Sequence, residues 1–200
     1  MHKSFPVRHL TLALGFIVCI VGLSACATPP PPQFPELTYT HLPAITLDVA
    51  KIEVVSASKK SDAALHIESS MPVTPEQALR NWARDRLRAS GVSGVAKIII
   101  ENASVTETEL TRSEGLKGVF TTEQSQRYDA GLKVSIRLEG VPRVSEAFAQ
   151  AEIKRSQTVP EDVSVNVREQ ALFELTESVM TDFDPAMADS IRKHLADFIR

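Results

Sequence analysis

Cysteine is nearly absent from this chain. Of 200 residues only Cys19 and Cys26 carry a thiol, and both lie in the first 26 positions. A disulfide framework, a cysteine-based zinc site and a thiol nucleophile are thereby excluded from everything that follows. No charge sign dominates either: 22 basic against 25 acidic residues give a formal net charge of -3, which is no electrostatic footprint for nucleic acid. The composition, 43% hydrophobic and 24% charged, is neither that of a disordered chain nor that of a multi-span membrane protein. One ordinary globular domain fits the length.

The amino terminus is organised differently from the rest. Met1 to His9 contain Lys3 and Arg8 and no acid, and Leu10 to Leu23 form an apolar run of 14 residues broken only by Thr11 and two glycines. A basic start followed by a short apolar run is the layout of an export signal. The run is shorter than the roughly 20 residues a helix needs to cross a bilayer. Residues 1-25 are therefore expected to be a signal peptide rather than a permanent anchor.

Leu23-Ser24-Ala25-Cys26 follows directly and resembles the lipobox of bacterial lipoproteins. The resemblance implies cleavage before Cys26, a diacylglyceryl group on its thiol, and acylation (palmitate or a similar chain) of the new amino terminus. An ordinary signal peptide that leaves Cys26 as a free thiol is the alternative. Buried acyl methylenes contribute about 0.8 kcal/mol each, so several chains on one residue hold a protein at a membrane. Ala27, where an inner-membrane retention signal would place aspartate, matches the outer-membrane-sorted pattern of such lipoproteins. The expected location is the periplasmic face of the outer membrane. Loss of Lys3 and Arg8 with the signal takes the formal charge from -3 to -5, which disfavours anionic headgroups as a partner.

Pro29 to Pro32 are consecutive and Pro35 follows. Proline fixes its backbone angle and lacks a donor, so residues 26-41 are expected to be a lipidated cysteine with a semi-rigid tether. A single domain is expected over 42-200. Ile45, Leu47 and Val49 alternate with polar residues and the pattern slips one step at Ala50-Lys51, which predicts a first strand with a bulge. Residues 56-70 predict a surface loop with a short extended piece at 65-67. Thr74, Pro75 and Gln77 form a capping-box start, and Leu79, Trp82, Ala83 and Leu87 recur at helical spacing toward Gly91, the expected left-handed cap. Val95 to Leu110 predicts a strand buried on both faces near Ile98-Ile100. Tyr128 to Leu138 alternate strictly with polar neighbours, predicting a strand with one wet face. Ala147, Ala149 and Ala151 predict a further strand that lets a helix pack closely. From Pro160 onward the apolar spacing is helical, and Asp184-Pro185 divides it into two packed segments or one kinked helix.

This order, β-α-β-β-β-α, predicts an α+β two-layer sandwich: an about four-stranded mixed sheet with amphipathic helices on one face and an antiparallel meander at its end. Together with the lipobox, the order resembles small Gram-negative envelope lipoproteins, including lipopolysaccharide-assembly and ABC-transport auxiliary lipoproteins and an uncharacterised lipoprotein group. The resemblance is one of topology and brings no functional motif onto particular residues.

No catalytic constellation stands out. His41, His66 and His194 are scattered, no serine sits in a Gly-x-Ser-x-Gly elbow, and Gly91-Val92-Ser93-Gly94 joins a helix to a strand, the reverse of a phosphate loop. No metal and no cofactor are expected. Two features suit partner binding. Leu116, Val119 and Phe120 sit in a connection too long for a tight hairpin, and Arg80, Arg84 and Arg88 recur at four-residue steps, with Arg86 nearby. The plain alternatives are a loop folded back on the core and a solvated helix face. The reading is a non-enzymatic, membrane-anchored lipoprotein with an accessory role in envelope assembly, maintenance or transport. Its expected partners are the membrane, through Cys26, and an envelope protein. A carrier of lipid or a small apolar ligand is the alternative, and a hydrolase a distant third.

Overall fold

A computed structural model describes residues 33-58, 65-110, 124-142, 147-160 and 162-200. Residues 1-25, expected to be a signal peptide, Cys26 and the consecutive prolines lie outside the described residues, as do Leu116, Val119 and Phe120. The compact unit begins at Gln33. Residues 33-41, expected in the tether, are part of its fold.

The element order is β1 (Ile45–Leu47), β2 (Lys51–Ser56), β3 (Leu65–His66), α1 (Pro75–Arg86), β4 (Leu87–Ala89), β5 (Val95–Glu109), β6 (Gln124–Glu139), β7 (Ala147–Pro160) and α2 (Val165–His194). The main sheet is mixed, in the order β2-β5-β6-β7, with β3 also paired to β5. β2 runs parallel to β5, while β5, β6 and β7 form the expected antiparallel meander. Both helices pack on one face, and the molecule is an α+β two-layer sandwich.

Two local expectations are corrected. The slip at Ala50-Lys51 is not a bulge within one strand. It is a transfer between sheets: β1 pairs with β4 in a small parallel sheet, and β2 joins the main one. The helix also does not run on to Gly91. It starts as its capping box demands, with Thr74 Oγ1 accepting from the Gln77 N–H at 3.1 Å, but Leu87 is already extended. Leu87, Arg88 and Ala89 are good helix formers, and pairing with Ile45-Leu47 overrides that propensity. Gly91 is required for another reason: a Cβ there would sit 2.5 Å from Asp48 Oδ1 and 2.6 Å from the Asp48 carbonyl carbon. The glycines with positive φ are Gly94 and Gly140.

β5 is buried on one face only. Ala96, Ile98 and Ile100 point into the core, and a register shift between Ile100 and Asn102 returns Ala103 and Val105 to that side. Ile99, on the opposite face, is half-buried. Of the alternatives left open for the carboxyl-terminal stretch, the structure has one continuous helix of 30 residues with Pro185 inside it. Pro185 is exposed, as is Thr181 four residues before it, so the lost helical hydrogen bond falls on the solvent side. The helix stops at His194, and Phe198 lies in a following 3₁₀ turn rather than in the helix.

Ala147, Ala149 and Ala151 are buried, and their small side chains admit α2 close to the sheet. The interface between the layers is filled by Trp82, Phe183, Leu132, Ile136, Met180 and Met187, each almost wholly removed from solvent. Trp82 meets Phe183 edge to face with ring centroids 5.1 Å apart, a preferred geometry for aromatic quadrupoles. Replacing it leaves a large void between the two helices and the sheet. Trp82→Ala is expected to lower unfolding stability by about 3-5 kcal/mol, read as an earlier midpoint in urea denaturation.

Candidate functional site

The most organised polar structure in the domain joins the entering chain to both helices. Phe34 stacks on Phe173, early in α2, with ring centroids 5.3 Å apart. The Leu37 carbonyl then accepts from Asn81 Nδ2 at 3.1 Å, and the Tyr39 N–H donates to Asp85 Oδ2 at 2.9 Å. Tyr39 and Leu42 continue past Met180 and Asp184. Residues 33-42 thus form a strap that enters beside the start of α2, runs along it and lies against α1.

Beneath the strap, one carboxylate holds the helices together. Asp184 Oδ1 accepts from Trp82 Nε1 at 2.8 Å and from Arg86 Nε at 2.7 Å. Arg86 is only 5% exposed. A guanidinium so buried needs its counter-charge in contact, because an unpaired buried ion costs several kcal/mol. Beside this group burial pushes the Tyr39 phenol up, assisted by Asp184, Asp85 and Glu177. The phenol stays neutral at any ordinary pH. Among the described residues the Tyr39 hydroxyl and Arg86 Nη1 have no hydrogen-bond partner.

Besides an open cleft of about 550 Å³ between β7 and α2, two clefts adjoin these elements. One of about 350 Å³ lies between strap and α2, lined by Leu37, Tyr39, Leu42, Glu177, Met180 and Asp184. The other, about 440 Å³ and richer in hydroxyls, sits at the start of α1 between Ser56, Ser69, Thr74, Glu76, Gln77 and Arg80. In the second, Ser56 Oγ donates to Glu76 Oε2 at 3.3 Å, and neither lining combines a serine with a histidine. Among the described residues no three histidine, aspartate or glutamate side chains are grouped as a metal site. His41 and His194 are exposed, and His66 Nδ1 is engaged by Glu68 Oε1 at 3.1 Å.

The arginines anticipated as one basic face are each engaged differently. Arg80 pairs with Glu76 one turn back at 2.8 Å, and Arg84 with Asp85 and with Glu36 of the strap. Arg88 lies in β4, beyond the helix, where its Nη1 donates to the carbonyls of Arg84 and Leu87. Arg86 is the buried partner of Asp184. All three remain exposed: Arg84 alone reaches the strap, while Arg80 is held within α1 and Arg88 by neighbouring carbonyls. Sequence reasoning missed Asp184, which was read only as part of a break, and the strap. The strap's signal was the alternation of inward Leu37 and Tyr39 with Thr38 and Thr40.

The uncovered face of the sheet is a field of ion pairs, two between β5 and β6 and one within β6. Lys97 bonds Glu139 at 2.8 Å, Lys133 bonds Glu101 at 2.9 Å, and Arg127 bonds Asp129 at 2.7 Å. Phe148 and Val55 are its exposed apolar members.

These features define a two-layer α+β domain clamped by an amino-terminal strap. No protein-family model matches the chain, and no curated protein matches it in sequence. Among solved structures it is similar to the rare lipoprotein B from Shewanella oneidensis, with 9% identity over 70% of this chain and 97% of that one, at a TM-score of 0.31. It is also similar to a chain of the PelC dodecamer from Paraburkholderia phytofirmans, with 14% identity, 68% and 87% coverage and a TM-score of 0.23. Likenesses at this level transfer neither fold nor role.

Strap docking has a pH signature. Burial alone pushes the Asp85 carboxyl up, but the Tyr39 N–H and the Arg84 guanidinium outweigh it and hold the group below its ordinary value. The ionised form therefore favours the folded state, and its contribution is lost as pH falls from about 4 through the lowered folded value. Asp85→Asn is expected to cost about 1-3 kcal/mol near neutral pH and to lose less further stability on acidification than the parent, read by denaturant melts at both conditions.

Proposed function

We propose that this protein is a lipid-anchored, non-enzymatic accessory lipoprotein at the periplasmic face of the outer membrane, acting in envelope assembly, maintenance or transport. One observation carries the reading: the motif Leu23-Ser24-Ala25-Cys26 ends an export-type run and is joined by four prolines to a strap fixed across both helices. A chain built to be held by its amino terminus needs that terminus docked, and Phe34, Leu37 and Tyr39 supply the docking. Among the described residues no helix is long and apolar enough to cross a membrane, and in this reading the lipid on Cys26 is the anchor.

The non-enzymatic reading rests on the dispersed histidines and on two cleft linings that do not set a serine beside a histidine. The carrier alternative needs an apolar cavity between the layers, and the space there is occupied by Trp82, Phe183, Met180 and Met187. The envelope partner is assigned to Leu116, Val119 and Phe120, because Arg80 and Arg84 already have carboxylate partners and Arg88 has carbonyl ones.

Purified from membranes, the protein is expected to begin at Cys26 and to show the mass of a diacylglyceryl group and an acyl chain. Cys26→Ser should release it from the membrane fraction. An unmodified Cys26 thiol in the native protein would sink the proposal. For the partner, a photoreactive residue at Phe120 should give discrete adducts in intact cells, while one at exposed Val92 should not. Absence of adducts at Phe120 removes the docking role from that segment.

A further inference from the structure

We infer that the end of the domain at which the strap enters, marked by Leu65, Val165 and Val167, rests on a zwitterionic lipid surface while the opposite end points away. This inference rests on the lipoprotein reading and adds an orientation to it.

Strand register collects several features at one end. β5 finishes at Glu109, β3 pairs there through Leu65 opposite Glu107, and Gln124 at the start of β6 pairs with Pro160 at the end of β7. α2 begins five residues after Pro160, and the strap enters beside its early turns through Phe34 and Phe173. Leu65, Val165 and Val167 are 63%, 70% and 52% exposed. Val165 and Val167 occupy the first turn of a helix whose N-cap, Ser164, is already satisfied by the Val167 N–H. Their exposure therefore serves no capping purpose.

The chain outside the domain decides what covers this end. From Cys26 to Pro32 there are seven residues, and at about 3.1 Å per residue in the extended proline conformation they reach roughly 20 Å. β5 alone, with 15 residues, spans about 50 Å at ~3.3 Å per residue. A lipid on Cys26 therefore keeps the entry end close to the bilayer. Lying flat is disfavoured on both broad faces. The sheet face would bury the pairs Lys97–Glu139 and Lys133–Glu101, and the helix face would bury the exposed carboxylates of Glu174 and Glu177. At the entry end Glu107, Glu109 and Asp162 stand against Arg127, itself paired with Asp129, and Arg168, so no net positive charge draws anionic headgroups and a zwitterionic surface is the fit.

The mature protein has no free thiol once the Cys26 sulfur carries its diacylglyceryl group, so a single introduced cysteine reports one position. Full-length lipidated protein bearing Val167→Cys or Val92→Cys, each with an environment-sensitive fluorophore, is reconstituted on phosphatidylcholine vesicles. Val92, in the turn between β4 and β5 at the opposite end, is 96% exposed. The label at position 167 is expected to shift to the blue and to be quenched several-fold more strongly by lipid-borne quencher than the label at position 92. Equal quenching at both positions, or a label at 167 that stays in water, overturns the orientation while leaving the lipoprotein reading intact. Mass measurement on the same samples separates the two: an unmodified Cys26 overturns the lipoprotein reading and this inference with it.

Discussion

Asp184 is the group on which the helical layer depends. It is the shared acceptor for an indole N–H from one face of α1 and a buried guanidinium from the next turn, and it stands on α2. Hydrogen bonds to an ionised acceptor are roughly twice as strong as neutral ones, and their directionality fixes how one helix sits on the other. Apolar packing between α1 and α2 alone tolerates sliding by a turn. With Trp82 and Arg86 tied to one carboxylate, the helices have a single register, and Phe183 can then meet Trp82 edge to face. The strap follows from that register, because Asn81, Asp85 and Asp184 line the path it takes.

The two layers divide the work by polarity. Alternation along β5, β6 and β7 sends one set of side chains into the core and leaves the other in water, where oppositely charged residues on neighbouring strands neutralise each other. Exposed pairs of this kind contribute little to stability. They do fill the uncovered face with charge that is costly to bury, which keeps the open sheet from becoming a general adhesive surface.

Much of this fold is legible in the sequence. The strict alternation of Tyr128 to Leu138, the alanine row of β7, the Thr74-Pro75-Gln77 helix start and the stripe from Leu172 to Ile191 each appear where their period predicts. The departures share a cause: short segments take their structure from distant partners. Leu87-Ala89 leaves the helix because Ile45-Leu47 is available as a parallel neighbour, and neither segment signals the other locally. Residues 33-42 were hidden by the proline run just before them and by Pro35, although Leu37 and Tyr39 alternate as docked side chains do. The role of Asp184 was not legible because a pairing across 102 residues with Trp82 leaves no periodic trace. The arginine repeat was visible, but its consumption by Glu76, Asp85, Glu36 and backbone carbonyls depended on where α1 ends.

The direction of the strap has a mechanical meaning. Because it enters beside Phe173 and runs along α2 toward Asp184, a pull on the chain's amino-terminal side acts along the length of the strap rather than across it. The ring contact at Phe34, the bond at Leu37 and the bond at Tyr39 are then loaded in parallel, as in shear, and must yield together. Just beyond the strap, Leu47 bridges to Ile199 and the Arg200 N–H bonds the Thr46 carbonyl. The last residues of the chain thus lock β1 from the other side, so tension arriving at the domain is spread over both of its termini instead of peeling the first strand away.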